Sequence, residues 1–579
     1  MELILVKGAP TYSALILADE KVTQRGMNGM TMNRRDFIGH LAAGSGAIAT
    51  VGTGSMLTKP AGADALRLPT AYESAGTGAF RRIAVAEYQD RVLGAFLGKI
   101  VGTIFGFPFE GRSENVVNRL DRLLRHDTVA PVDDDYYYEM VAVYGFERHG
   151  IQMTIEQLGD MWKEYQAGTW GSSQQARLLL EKGIKAPQTG EPRYNQWFHT
   201  IGPQFSSGTY GMITAGMVNL AGEKARYYSH VNGYAEGCDG AVFVAACTSE
   251  AFFETNTEKI VRQAAQLISP RSNYRKAIDL VLEGYARNRD WRELANESEN
   301  LWRPDYPQLN NSVANGALCA LALLYGKGDW LSTVNIVTAT DDFTDADCNA
   351  DVVSSVVAAM HGSKVIPQGF VQQLHDRIHG TGMGPLKFNR VIEERISAFA
   401  ERISAVGQKM LLANGAREES GYLLIPQQQV KEQPLEWFDI NDYAGLWSPG
   451  WQMAQASRGG PGNTYLQWET DTLVTFPRDT RPCRLERQLQ VPAGKPSLRL
   501  QVGSVPGAPW RLQVFVDDDA LLTQIIIADS MEMQVEYQDV WVDLSQYAGQ
   551  NIKLRLYHWL IVGGVPGSAY WRSVEVLAA

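Results

Sequence analysis

Two acidic clusters, far apart in sequence, carry the residue types best suited to chemistry. The first is Asp133-Asp134-Asp135, followed by Y-Y-Y-E-M-V-A-V. The second is Asp341-Asp342-F-T-Asp345-A-Asp347-Cys348-Asn349, followed by A-D-V-V-S-S-V-V-A-A-M. Adjacent carboxylates repel one another, so a fold that keeps them together needs a cation or an exposed, solvated turn. Hard oxygen donors of this kind suit Mg²⁺, Mn²⁺ or Ca²⁺ rather than zinc. If the clusters meet in space, Asp133, Asp134, Asp135, Asp345 and Asp347 supply enough ligands for two divalent metals. Taken singly, each cluster is equally well explained as the acidic first turn of a solvated helix, where the helix dipole favours negative charge. A further run, Asp517-Asp518-Asp519, lies between alternating strands and reads as a hairpin turn.

These residues need elements to hold them. From about Glu87 to Ser404 apolar residues recur at spacings of three and four, as in Ala317, Leu318, Leu321 and Leu324, which predicts helices. Beyond about Pro426 the period becomes two. Leu512, Val514 and Val516 alternate with Arg511, Gln513 and Phe515, and Ile552, Leu554 and Leu556 with Lys553, Arg555 and Tyr557. The expected architecture is multidomain: an all-α helical domain over 87–410 and an all-β, jelly-roll-like sandwich over 430–579. Residues 64–86 and 411–429 are expected to be linkers. Residues 92–109 are almost wholly apolar, long enough to suggest a membrane helix, but Lys99 sits near the middle. Gly94, Gly98, Gly102 and Gly106 form a ridge along one face, which suits a buried helix that a neighbour approaches very closely.

Composition narrows the classes. A chain of 579 residues with 45% apolar and 20% charged residues has room for two or three folded domains. Its net charge of −11 argues against a nucleic-acid partner, since phosphate binders carry basic patches. Five scattered cysteines are too few for a disulfide framework and lack zinc-site spacing.

The first 63 residues read as an address. Asn33-Arg34-Arg35-Asp36-Phe37-Ile38 precedes a glycine- and alanine-rich stretch that closes on Ala61-Gly62-Ala63, a small-x-small cleavage site. This resembles a twin-arginine export signal and predicts a periplasmic or extracellular protein without a membrane span after cleavage. Residues 1–29 fit poorly within such a signal, which points to initiation at Met27, Met30 or Met32. The removed segment carries six basic and four acidic residues, so cleavage takes the net charge from −11 to −13.

The helical part resembles the ADP-ribosylglycohydrolase family. R-V-L-G-A-F-L-G-K-I-V-G-T-I-F-G-F-P-F-E-G resembles that family's first motif, a glycine-rich helix ending in a glutamate, here Glu110. Asp133-Asp134-Asp135 stands where the family has T-D-D or N-D-D. S-H-V-N-G-Y-A-E-G-C-D-G-A-V-F-V-A-A, from Ser229 to Ala246, is similar to its substrate-loop motif. Asp345-Ala346-Asp347-Cys348-Asn349 resembles D-T-D-x-N, with G-S-K-V-I-P following. The chain departs from the pattern at Thr103, where an aspartate is usual, at Asp133, at Ala346 and at Cys348, whose sulfur is a poor Mg²⁺ ligand.

The resemblance implies an all-α fold with two divalent metals, Mg²⁺ or Mn²⁺, with Ca²⁺ also compatible, held by Asp133, Asp134, Asp135, Asp345 and Asp347. It implies hydrolysis of a ribosyl or related furanosyl bond, with Asp134 or Asp135 orienting water and Glu110 as gate or acid/base. His230, Asn232, Glu236 and Asp239 become candidate substrate contacts, against an equal expectation that His230 is structural. The substrate is a small molecule or a glycan. Eight of the fourteen tryptophans (437, 447, 451, 468, 510, 541, 559 and 571) fall in the sandwich, where they either stack on sugars or pack the core. Two alternatives stay open: a secreted sugar-binding protein with a decayed helical domain, and a metal-dependent hydrolase of an amide or phosphate ester. Oligomeric state is not set by the sequence.

Overall fold

A ridge of glycines can do only one structural job, which is to let another backbone come into contact. In the computed structural model, which describes residues 79–111, 129–340, 344–459, 462–529 and 534–578, that backbone belongs to the helix of the second acidic cluster. The described residues all belong to one compact unit, Ala63–Ala579. The expected leader, with Arg34 and Arg35, and Asp341 and Asp342 lie outside the described residues.

Sixteen α-helices run between Val85 and Ala413 among the described residues. Three carry the site: α1 (Val85–Gly106), α2 (Asp134–His149) and α3 (Ala346–His361). A Cβ placed on Gly94 would stand 2.7 Å from the carbonyl carbon of Gly362, and one on Gly98 2.7 Å from the carbonyl oxygen of Ser354. At Gly102 and Gly106 it would lie closer still to the carbonyl oxygens of Ala350 and Ala346. No side chain fits between α1 and α3, so the two backbones touch along four turns. The segment Val85–Phe109 is long and apolar enough to cross a membrane, yet 78% of its most apolar window is buried inside the protein.

The body is helical as expected, and a few strands accompany its helices. Strand β1 (Phe80–Ala84) pairs with β5 (Tyr422–Pro426), which also pairs with β4 (Arg417–Glu419). Both expected linkers therefore contain strands that pair with each other, with Ile83 opposite Leu423 and both buried. The helix Ile396–Ala413 also runs past the expected boundary at 410. A hairpin of β2 (Arg377–Met383) and β3 (Leu386–Arg395) interrupts the helices and buries Ile378 and Ile392. β1, β4 and β5 are short, and β2 and β3 bury only Ile378, Met383 and Ile392, so these strands leave little period-two signal.

The C-terminal region contains β6 (Gln452–Ala454), β7 (Tyr465–Gln467), β8 (Thr472–Thr475), β9 (Cys483–Gln490) and β10 (Ser497–Ser504). It continues with β11 (Trp510–Val516), β12 (Asp519–Ile526), β13 (Glu536–Asp543), β14 (Asn551–Leu560) and β15 (Ala569–Leu577). These form two antiparallel five-stranded sheets in the orders β13-β10-β15-β8-β7 and β12-β11-β14-β9-β6, as expected of a sandwich. The alternation holds: Leu512, Val514, Val516, Ile552, Leu554 and Leu556 are buried. Asp517 and Asp518 form the β11–β12 turn, with Asp517 at φ +47°. Trp510 and Trp571 pack against each other in the core, and Trp447 and Trp451 are also buried, which removes four of the eight tryptophans from any surface role.

A methyl group on the ridge is therefore costly. Gly102→Ala is expected to destabilise the protein by about 3 kcal/mol or more, the upper end of overpacking costs, because the Cβ meets backbone that cannot rotate away. Gly445→Ala, whose Cβ would have its nearest neighbour 3.9 Å away, is expected to be neutral. Urea unfolding of the two variants measures the difference.

Candidate metal centre

The apolar contact between α1 and α3 brings charged side chains with it. Lys99, on α1 and fully buried, places its ammonium 2.6 and 2.8 Å from the two carboxylate oxygens of Asp351 on α3. The same ammonium lies 2.9 Å from the Phe205 carbonyl and 3.4 Å from Glu139 on α2. Glu139 accepts in turn from the backbone N–H and hydroxyl of Thr209, at 3.0 and 2.8 Å. Burial alone would lower the lysine's pKa, but Asp351 and Glu139 reverse this, and Lys99 stays charged. One turn later, the Thr103 hydroxyl lies 2.9 Å from Asp135 Oδ2. Lys99 and Thr103 thus fix α2 against α1, as the glycines fix α3.

The consequence is that the N-termini of α2 and α3 converge. Asp133 caps α2, accepting from the Asp135 N–H at 3.3 Å. Asp345 precedes α3, its N–H donating to Asn315 Oδ1 at 3.2 Å, and Asn349 donates to the same oxygen at 2.7 Å. The Gly111 N–H donates to the Thr344 carbonyl at 3.0 Å, which holds the end of the first motif beside the start of α3. Carboxylate oxygens of Asp133, Asp134 and Asp135 lie within 4.8 Å of one another, and so do ligand atoms of Asp345, Asp347 and Cys348. Asp135 is fully buried and Asp345 nearly so, while Asp133, Asp134 and Asp347 are half-buried.

Electrostatics shows that the clusters share one space. The charge of Asp347 acts on Glu110, Asp133, Asp134, Asp135 and Asp345 alike. Burial and then Asp347 push Asp133 up to about 6 and Asp345 well above the usual carboxylate range; burial raises Asp134 and Asp135 likewise, with Asp133 and Asp351 respectively their leading neighbours and Asp347 next. Glu110, at the exposed end of the first motif, is pushed up to about 7 by loss of solvent around its carboxyl and by the Asp347 and Asp133 charges. So many carboxylates at two helix N-termini exceed what the dipoles neutralise. The donors fit a divalent cation, which would supply the missing charge: Asp135 Oδ1 is buried without a hydrogen-bond partner, and the remaining donors are oxygens. Cys348 is the exception. Burial and the surrounding aspartates raise its thiol pKa, which keeps it protonated and a weak ligand.

The candidate substrate contacts sit elsewhere. His230 is buried, with Nδ1 2.6 Å from the Arg226 carbonyl and Nε2 2.7 Å from Glu436 Oε1. Burial would raise the pKa of Glu436, but His230 and Arg226 hold it down to about 2. Its other oxygen accepts from the N–H of Ala235, which is held at φ +47°. Asn232 donates to Ser173 Oγ at 2.9 Å, Glu236 accepts from the Tyr306 hydroxyl at 2.6 Å, and Asp239 meets Arg226 and Ser272. All four are buried and hold internal partners, which anchor the loop between two helices. The sequence reasoning missed Lys99, Glu139, Asp351, Asn315 and Asn349 as site-forming residues. The one available signal was a lysine inside an apolar helix, which demands a buried carboxylate partner.

A family model described as ADP-ribosylglycohydrolase matches residues 39–410. Among solved structures, one described as an ADP-ribosylglycohydrolase-related protein complex is 17% identical, covering 57% of this chain and 100% of its own, with a TM-score of 0.38. The K1 cleaved adhesin domain of Lys-gingipain from Porphyromonas gingivalis W83 is 16% identical, covering 22% of this chain and 84% of its own, with a TM-score of 0.16. No curated protein matches the chain.

Crowded carboxylates leave a pH signature. The folded, metal-free form holds protons on Glu110 and Asp133 that the unfolded chain has released. Its stability is therefore expected to fall as pH rises from Glu110's ordinary 4.5 towards about 7. Mg²⁺ or Mn²⁺ is expected to restore the lost stability at the upper end. Thermal unfolding with a chelator or with metal, across that window, checks this; a metal-free midpoint that rises with pH contradicts it.

Proposed function

The chain belongs to the ADP-ribosylglycohydrolase family, and from that premise we propose that it is a metal-dependent glycoside hydrolase acting on a ribosyl or related furanosyl bond. The observation that carries the proposal is the convergence of five carboxylates, from two helices, beside an accessible glutamate. Asp133, Asp134, Asp135, Asp345 and Asp347 are the residues that would hold divalent metal. Such an ion, when bound, lowers the pKa of water and stabilises charge that develops at the sugar.

The chain's own residues do the rest. Asp134, half-buried where Asp135 is fully buried, is the better placed to accept a proton from an attacking water. Asp135, fixed by Thr103, is the rigid member of the cluster. Glu110, held near Asp347 at the rim, can carry the proton that a leaving group needs as the glycosidic bond breaks. Cys348 is the observation that favours the alternative of a decayed helical domain in a sugar-binding protein, because a sulfur stands where an oxygen donor is expected.

We further propose export, supported by Arg34-Arg35 and the Ala61-Gly62-Ala63 site. N-terminal sequencing of the native protein is expected to start at Asp64, and a mature chain beginning at Met1 contradicts it.

Activity on a panel of ADP-ribosyl, ribosyl and other furanosyl substrates, with amide and phosphate esters as comparison, tests the reaction. Free sugar is the expected product. Asp134→Asn and Asp347→Asn are each expected to lower turnover by about 100-fold or more, and Glu110→Gln by a similar factor. Turnover of amides or phosphate esters alone rejects the glycosidase assignment, and no turnover together with no metal binding supports the decayed domain.

A further inference from the structure

The outer face of one sandwich sheet carries a pattern that the core does not use. On β11 and β14, Leu512, Val514, Leu554 and Leu556 point inward and are buried. The alternate residues point outward and pair across the strands: Arg511 with Trp559, Gln513 with Tyr557, and Phe515 with Arg555. Tyr557 is also paired with Arg484 on β9. The aromatic members are half-exposed. The face is organised by its own contacts. Trp559 Nε1 donates to Gln513 Oε1 at 2.7 Å, the Arg511 guanidinium lies 5.0 Å from the Trp559 ring centroid, and the Phe515 and Tyr557 rings stand edge to face at 5.5 Å.

Charge distinguishes this face from the opposite one. Its strand positions present Arg484, Arg511, Lys553 and Arg555 against the single carboxylate Glu486, on a chain whose net charge is −11. Glu486 is shared between Arg484 at 3.2 Å and Lys553 at 3.1 Å, and Arg555 is met by Asp518 of the turn. Arg511, at the end remote from that turn, stacks on Trp559 and has no salt-bridge partner among the described residues. On the other sheet's outer face the equivalent arginine, Arg499, is neutralised by Asp539 at 3.1 Å and Glu575 at 3.7 Å.

We propose that the β11–β14 face binds a polysaccharide with anionic sugars, with pyranose rings stacked on Trp559 and Tyr557 and a sugar carboxylate or sulfate on Arg511. The C–H face of a pyranose packs on an aromatic ring, and the planar guanidinium fork matches a carboxylate or sulfate with two parallel hydrogen bonds. Gln513, held by Trp559 and within 3.4 Å of Thr523, adds an amide for ring hydroxyls. A neutral glycan would leave the Arg511 guanidinium without a role, and a nucleic acid would meet a chain whose net charge is −11. The proposal depends on neither the metal nor the reaction.

Affinity electrophoresis of the full chain tests it, in gels containing polygalacturonate, chondroitin sulfate, a neutral galactan or single-stranded DNA. Retardation is expected in at least one anionic glycan, with polygalacturonate and chondroitin sulfate distinguishing a carboxylate from a sulfate ligand. Trp559→Ala and Arg511→Gln are each expected to weaken that binding by about tenfold or more, with unchanged circular dichroism. Asp347→Asn is expected to bind like the parent. Arg511→Gln, which keeps a polar side chain of similar length at a half-buried position without a salt-bridge partner among the described residues, decides the matter if Trp559→Ala alters the fold. No retardation by either anionic glycan overturns the proposal, as does equal retardation of the parent and Arg511→Gln, or retardation by DNA or neutral galactan as strong as by the anionic glycans.

Discussion

The backbone contact between α1 and α3 is the constraint on which the rest of the helical body depends. Four glycines at i, i+4 spacing leave no room for a single Cβ, so the distance between the helices is set by carbonyl and Cα atoms. Because backbone atoms cannot change rotamer, the start of α3 is held against the end of α1 with little slack. Gly106 packs against Ala346, one residue after Asp345 and one before Asp347. The geometry of the second acidic cluster is therefore decided by residues that carry no functional group at all.

A site that gathers acid at two helix ends must be balanced, and the structure does so in two layers. The inner layer is permanent: Lys99 neutralises much of Asp351 and Glu139 in a fully buried network, where a lone charge would cost several kcal/mol. Thr103 belongs to this layer. A threonine in place of a family aspartate removes one negative charge and still reaches Asp135 through its hydroxyl. The outer layer, Glu110 with Asp133, Asp134, Asp345 and Asp347, has no such internal cation among the described residues, and a bound one would belong there. The residues from His230 to Asp239 are also held by internal partners. Glu436 binds His230 and the strained Ala235 N–H, which ties that loop to the chain beyond the helices.

Much of this was legible in the sequence, for physical reasons. The glycine ridge, the two acidic clusters and the switch from helical to strand periodicity are all local patterns, and each survived folding. What stayed hidden depends on partners distant in sequence. The β1–β5 pairing joins segments more than 300 residues apart, and neither is long enough to announce a strand alone. Sequence left His230 equally open as a substrate contact and as a structural residue, because its partner, Glu436, lies 206 residues away. Asp351 sits within α3 one turn beyond Asp347, and only Lys99, 252 residues away, gives it meaning. Among the tryptophans, only the structure separates the buried Trp510 and Trp571 from the half-buried Trp559, and only the register puts Arg511 beside Trp559.

The central claim is that one metal centre spans two helix N-termini brought together by a side-chain-free contact. Anomalous diffraction from crystals grown with Mn²⁺ tests it most directly. The account predicts anomalous density bound jointly by carboxylates of the Asp133–Asp135 cluster and of Asp345 or Asp347. Manganese confined to one cluster, or absent from both at saturating concentration, would contradict it.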